Sequence, residues 1–233
     1  MHNNRYTFLY AIGMSIITAV ILAFTAESLK PLQEENLALD AKSNILKSVL
    51  INTDNKEEIE KTYSSNVEEL VVNANGEVLE GVSAAEVDLK KEVAKAPEDR
   101  QLPLYIYKGE KTFYVVPMRG VGLWGPIWGF ISLENDFNTV HGAFFDHKGE
   151  TPGLGAEIAE KPFQEQFEGK EIYDDQNNFV SVNVLKASEK SPLDAENRVD
   201  AISGGTITSN GTDEMLKNCI EPYLTYFEKI KKQ

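Results

Sequence analysis

The chain has 233 residues, 42% of them hydrophobic, which is enough for one sizeable core and too many for wholesale disorder. Its 37 acidic residues against 23 basic ones give a formal charge of −14, which speaks against nucleic acid or an anionic lipid surface as a main partner. A single cysteine, Cys219, excludes an internal disulfide and a cysteine-only metal cluster within one chain.

The first element in chain order is Tyr6 to Ala26, an uncharged run with Ile12, Ile16, Ile17, Val20, Ile21, Leu22 and Phe24 at its heart. About 20 apolar residues span a hydrocarbon core as a helix. A cleaved signal peptide is the rival reading, with Thr25-Ala26-Glu27-Ser28 as its cleavage site, but the run exceeds the roughly 7–15 apolar residues of such peptides. An uncleaved anchor is therefore expected. With Arg5 ahead of the run, the positive-inside tendency leads us to expect the N-terminus in the cytoplasm and everything after Ala26 outside. Four regions follow: a cytoplasmic N-terminus at 1–5, a transmembrane helix at 6–26, a helical stalk at 27–52 and an extracytoplasmic domain at 53–233. In the stalk, Pro31 suits a first helical turn, and Leu37, Ala38, Ala41, Ile45, Leu46 and Val49 recur at near-helical spacing.

Between Asn52 and Asn66 the chain is polar, a loop or a short exposed helix. Leu70 to Val72 and Val78-Leu79 then flank Asn75-Gly76, a strong hairpin signal. Ala84 to Arg100 reads as helix or loop. A second hairpin is expected from Leu104–Tyr107 and Thr112–Val116 around Lys108-Gly109-Glu110, so antiparallel sheet is favoured over a doubly wound one. Gly120 to Leu133 is a glycine-punctuated loop entering an apolar strand, and Thr139 to Phe145 is a further strand. His147 to Gly155 reads as an ordered loop, with Pro152 and Gly153 forming a turn. Phe163 to Lys170 is a short helix ending at Gly169, and Phe179 to Leu185 alternates as a strand does. The overall class is α+β.

The last informative loop is Asp200 to Gly211. Taken by itself it reads as a flexible loop or as an anion site: Gly204 and Gly205 allow close backbone approach, and a following helix start offers free N–H groups to a phosphate. A terminal helix is expected from Thr212 to Lys232, with acids in its first turn, lysines in its last, and a kink or break at Pro222. Cys219 falls on its apolar face and reads as a buried structural thiol; His141 and His147 have no companion metal ligands and read as structural or exposed. Ser203 as a hydrolytic nucleophile has no visible local base. The chain also lacks a P-loop, a Cys-x-x-Cys pair and a His-Glu-x-x-His zinc motif.

Read whole, Asp200-Ala201-Ile202-Ser203-Gly204-Gly205-Thr206 resembles the flavinylation motif of the FMN-binding domains in the B and C subunits of Na⁺-translocating NADH:quinone oxidoreductase and in the G subunit of the Rnf complex. The resemblance implies Asp200, Ser203, Gly204 and Gly205 as the framing residues and Thr206 as the acceptor that carries FMN through a phosphoester. Gly205 stands where the family usually has Ala. The Gly-Leu-Trp-Gly element at Gly122–Gly125 and the Glu-Thr-Pro-Gly-Leu-Gly element at Glu150–Gly155 resemble two further family signatures, which implies Trp124, Thr151 and Leu154 near the isoalloxazine ring. Glu27–Asn36, Leu39-Asp40 and Asn44–Lys47 resemble the N-terminal region of C subunits, and the single apolar span excludes the multi-span B subunit.

The resemblance implies an FMN-binding domain with an antiparallel sheet and flanking helices behind one transmembrane anchor. It also implies a six-subunit inner-membrane redox complex as partner, a periplasmic main domain, and an FMN transferase that uses FAD and magnesium during maturation. The Rnf G subunit, and an anchored sensory module binding a phosphate ligand reversibly, are the alternatives.

Overall fold

The computed structural model describes residues 4–186, 193 and 195–232; residues 1–3 of the expected cytoplasmic stretch lie outside the described residues. The chain divides into two compact units, 1–41 and 42–233. The first helix, α1 (Asn4–Ser48), runs 45 residues without a break and contains Pro31 in its interior. Span and stalk are thus one helix, where a separate helix starting at Pro31 was expected. The missing proline N–H costs one backbone bond, but Ala26, Glu27, Leu29, Lys30, Leu32, Gln33 and Glu34 around it are strong helix formers that carry the helix through. Phe8, Leu9, Ile16, Ile17, Val20, Ile21, Leu22 and Phe24 are all exposed on it, and by length and composition it can cross a membrane.

The second unit is built on a five-stranded antiparallel meander: β1 (Val67–Asn73), β2 (Gln101–Lys108), β3 (Thr112–Val121), β4 (Pro126–Leu133) and β5 (Val140–His147), in that spatial order. The β2–β3 hairpin forms where expected. The Asn75-Gly76 turn forms too, with Gly76 at φ +70° and its N–H donating to Asn73 O, but its return arm is a single bridge from Val78 to Val72. β1 pairs along its length with β2 instead, because Leu102 and Leu104 bury a longer apolar edge than Val78-Leu79 can. The polar stretch 52–66 resolves into α2 (Lys56–Asn66), capped by Asn55, whose side chain accepts from the Glu57 and Glu58 N–H groups. Between β1 and β2 the only α-helical turn among the described residues is α3 (Leu89–Glu92).

Both faces of the sheet are covered. Ser132 of β4 donates to Ser48 O at 2.6 Å, so the buried last turns of α1, with Ile45 and Leu46, pack on one face. On the other, Val116, Met118, Ile131 and Phe145 join a core with Met215, Leu216, Ile220 and Phe227 from the C-terminal helices. Helix α4 (Lys161–Gln164) continues as 3₁₀ to Phe167, and the segment stops at Gly169, φ +72°. The C-terminal helices are α5 (Thr206–Ile220) and α6 (Leu224–Ile230), separated by a 3₁₀ turn at Glu221–Tyr223 that contains Pro222, the break the proline predicts.

Two boundaries differ from expectation. The strand expected over Phe179–Leu185 shrinks to β6 (Asn183–Leu185), because Ser181 sits at φ +63° and breaks the extended run. β6 pairs in parallel with β7 (Arg198–Asp200), which delivers the chain to the Asp200 loop. Helix α5 begins at Thr206, six residues before the expected Thr212. Thr206-Ile207-Thr208 is β-branched and Gly211 is a poor helix former, so local propensity hides a start that tertiary packing imposes. A Cβ at Gly211 would clash with the Val121 carbonyl oxygen of β3, so glycine there allows the helix to lie directly on the strand.

Candidate functional site

The loop after β7 is tied to the helix that follows it. Ala201 N–H continues the β6 ladder by donating to Leu185 O at 2.8 Å. The chain then turns through Ile202–Gly205, with Gly204 at φ +77° and Gly205 N–H donating to Ile202 O at 3.1 Å. Ser209, one turn into α5, accepts from Ile202 N–H on its hydroxyl at 3.1 Å and donates its own N–H to Gly205 O at 2.8 Å. This is an ordered helix entry. Thr206 is its first residue, half-buried, with Ile207 exposed beside it. The first N–H groups of a 15-residue helix therefore open where Thr206 stands, the arrangement that favours an anion.

Two other segments converge on this loop. In the β3–β4 turn, Gly122 N–H donates to Gly125 O at 2.8 Å and presents Trp124, which is 68% exposed. After β5, Thr151 O accepts from the N–H groups of Leu154 and Ala156, at 3.1 and 3.2 Å, and Gly153 turns the chain at φ +73°. Trp124 Nε1–H donates to Thr151 Oγ1 at 3.1 Å, joining these two segments. A Cβ at Gly204 would lie 2.6 Å from Leu154 Cδ2, and one at Gly205 would lie 3.3 Å from Gly155 N, so the Glu150–Gly155 loop lies directly against the Ser203–Thr206 loop. At Gly205, φ −99° suits any residue, and an alanine Cβ would meet Ile202 Cγ2 at 3.0 Å, a contact a small side-chain shift relieves.

Trp124, Thr151, Leu154, Gly204, Gly205 and Thr206 are thus brought together, with exposed Ser203 next to them. Asp200 is not among them. It ends β7, its N–H donates to Gln166 Oε1 at 2.8 Å, and it borders a shallow depression with Glu157, Glu160 and Gln166. Thr206 borders a separate open cleft of about 320 Å³, with Val184, Leu185, Ser209, Asn210 and Asp213. The exposed apolar groups Val121, Leu123, Trp124, Leu154 and Ile207 belong to the same segments. Apolar side chains beside a helix N-terminus suit a flat, largely apolar group with an anionic end.

One residue at the centre was not foreseen as functional. Glu150 is 5% exposed, and its carboxylate accepts from Trp124 N–H at 2.8 Å through Oε1 and from Thr208 Oγ1 at 2.6 Å through Oε2. Its own N–H donates to His147 Nδ1 at 3.1 Å, which gives His147 a structural place. Burial alone would raise the Glu150 pKa, but hydrogen bonds from Thr208 and from the Trp124 and Leu123 N–H groups outweigh it and hold the carboxyl below its usual range. Since the folded value lies below the unfolded one, the stabilisation is in place above the ordinary carboxylate range and is lost as pH falls through the folded value. The only signal in the sequence was that Glu150 opens a motif.

Cys219 is buried on α5 near Arg119 O, and burial pushes its thiol pKa up. In the native protein at neutral pH Cys219 is expected to resist maleimide for hours and to react within minutes in denaturant, as mass spectrometry of the intact chain would show. His141 stacks on Phe113 with ring centroids 3.8 Å apart, and burial lowers its pKa.

Comparison with known proteins agrees with this geometry. Residues 122–221, which contain all three converging segments, match the family model of the FMN-binding domain. The chain is 34% identical to the C subunit of Na⁺-translocating NADH-quinone reductase from Haemophilus ducreyi, over 92% of this chain and 91% of that protein. It is 36% identical to the corresponding protein of Pasteurella multocida, over 91% and 87%. The crystal structure of the same reductase's C subunit from Parabacteroides distasonis superposes with a TM-score of 0.77 at 39% identity, covering 85% of this chain and 96% of that one. The chain therefore belongs to the family of C subunits of the Na⁺-translocating NADH-quinone reductase and carries that family's FMN-binding domain.

Proposed function

We propose that FMN is held covalently, through a phosphoester to Thr206 Oγ1, and that the protein passes electrons between neighbouring redox centres on the path from NADH to quinone that drives Na⁺ export. The observation that carries this reading is the convergence of the Gly122–Gly125, Glu150–Gly155 and Ser203–Thr206 segments at the first residue of α5.

The residues suit the group. The opening N–H groups of α5 offer donors to its phosphate, Gly204 and Gly205 let the Leu154 and Ile202 side chains pack closely on the turn before Thr206, and Trp124, Leu154 and Ile207 supply apolar walls for the ring. Bound there, FMN supplies reversible electron transfer at its isoalloxazine ring. The chain's own residues hold and orient it; no side-chain acid or base is required for one-electron transfer, and no activity of the isolated protein is expected. Asp200, exposed and turned to a different depression, suits recognition of the motif by the FMN transferase better than contact with the flavin.

The apolar part of α1 anchors the protein in the inner membrane, with Arg5 on the cytoplasmic side and the flavin domain in the periplasm, where the transferase acts. The span carries no charge from Tyr6 to Ala26, so Na⁺ translocation belongs to the assembled six-subunit complex. Family membership favours this complex over Rnf.

Peptide mass spectrometry of the denatured protein from its native host tests the reading. FMN phosphate mass on the Thr206 peptide is the expected result. An unmodified Thr206 in cells shown to contain the transferase would overturn it and favour reversible ligand binding.

A further inference from the structure

We propose that Glu150 and Thr208 form a positioning pair that fixes the flavin site before the flavin arrives. The inference rests on the reading of Thr206 as flavin acceptor.

Three separate stretches of chain must present Trp124, Thr151 and Thr206 in one constant arrangement. Helix α5 lies against the end of β3 at Val121, but the β3–β4 turn and the loop after β5 still need a tie to each other and to the first turn of α5. The Glu150 carboxylate supplies the joint. One oxygen takes the Trp124 N–H, 26 residues away, and the other takes the Thr208 hydroxyl, 58 residues away. Thr208 lies two residues past the acceptor, on the same first turn of α5.

The surroundings are built for that carboxylate. A Cβ at Gly122 would lie 2.6 Å from Glu150 Oε1, and a Cβ at Gly155 would lie 2.5 Å from Glu150 Oε2 and clash with the Thr208 hydroxyl. Both glycines therefore make room for the pair. A carboxylate can meet two donors arriving from different elements at once, because each oxygen accepts independently. Buried at 5% exposure and fully engaged, it is rigid, which is the property a supporting residue needs. Thr208 is itself buried at 1% exposure, so its hydroxyl faces the protein interior and is no rival to Thr206 as acceptor.

Shape and hydrogen bonding are separable at Thr208. Thr208→Val keeps the branched shape and removes the donor; Thr208→Ser keeps the donor and removes the methyl group. The full-length chain is purified in detergent after expression without the transferase, and flavin attachment is then timed with purified transferase, FAD and magnesium. Thr208→Val and Glu150→Ala are expected to slow attachment by up to about a hundredfold, the scale on which a misplacement of about 1 Å costs rate, while Thr208→Ser stays close to the parent. Amide exchange at Trp124 in the flavin-free proteins is expected to follow the same order, faster in Thr208→Val and Glu150→Ala and unchanged in Thr208→Ser.

A Thr208→Val protein matching the parent in both measurements, or a Thr208→Ser protein as impaired as Thr208→Val, would overturn the pair. Should Glu150→Ala fail to fold, the two Thr208 variants decide alone. A parent chain that never acquires flavin would sink the acceptor reading, and amide exchange would still decide whether Glu150 and Thr208 hold Trp124 in place.

Discussion

Thr206→Ala is expected to abolish covalent flavin completely, with no flavin fluorescence left on the protein in a denaturing gel, while Thr206→Ser keeps it. The proposed phosphoester needs a hydroxyl at the first position of α5, and serine supplies one on the same Cβ. Alanine is a good helix former at a half-buried position, so stability should change by no more than about 0.5 kcal/mol. Nearby hydroxyls do not substitute for it. Thr208 is buried and donates to Glu150, and Ser209 is turned back to accept from Ile202 N–H. Ser203 is exposed but lies on the turn that precedes the helix. The same substitution should stop electron flow to quinone in the assembled complex without stopping its assembly. Flavin remaining on the protein in Thr206→Ala would place the acceptor elsewhere.

The second large effect concerns stability. In an exposed helix, replacing glycine by alanine gains about 1 kcal/mol. At Gly211 the sign reverses, because the new Cβ would be driven into the Val121 carbonyl oxygen, a backbone atom that cannot move without breaking the β3–β4 pairing. Gly211→Ala should therefore lose about 3 kcal/mol, the upper part of the range for overpacking. For a chain of this size that lowers the melting temperature by roughly 6–12 °C. Circular dichroism melts of the purified protein measure it. A melting temperature unchanged or raised would show that α5 stands off β3 by more than the structure places it.

The sheet was legible where side chains alternate and turns are marked. Tyr105, Tyr107, Phe113 and Val115 announce the β2–β3 hairpin, and Gly109 its turn. The break at Pro222 was legible because proline acts through its own geometry. What the sequence hid is what tertiary contact decides. Thr206, Ile207, Thr208 and Gly211 are weak helix formers, yet α5 starts there because Gly211 lets it rest on β3. Strand β7 has three residues, too few for a period to show. The converging segments were found through motif resemblance, whereas Glu150 was passed over because its partners lie 26 and 58 residues away and only the folded chain brings them within reach. Asp200 shows the converse, since a motif residue six positions before Thr206 need not border the same cleft.

The chain has two tryptophans, and their positions give the molecule a built-in optical gauge. Trp128 is half-buried within β4, whereas Trp124 stands on the surface with its indole held to Thr151, against the loop that ends at Thr206. Indole emission overlaps flavin absorption, so a flavin on Thr206 would quench Trp124 by energy transfer more strongly than a flavin bound elsewhere. Maturation could then be followed in real time, without labels, as a fall in ultraviolet emission while the transferase works.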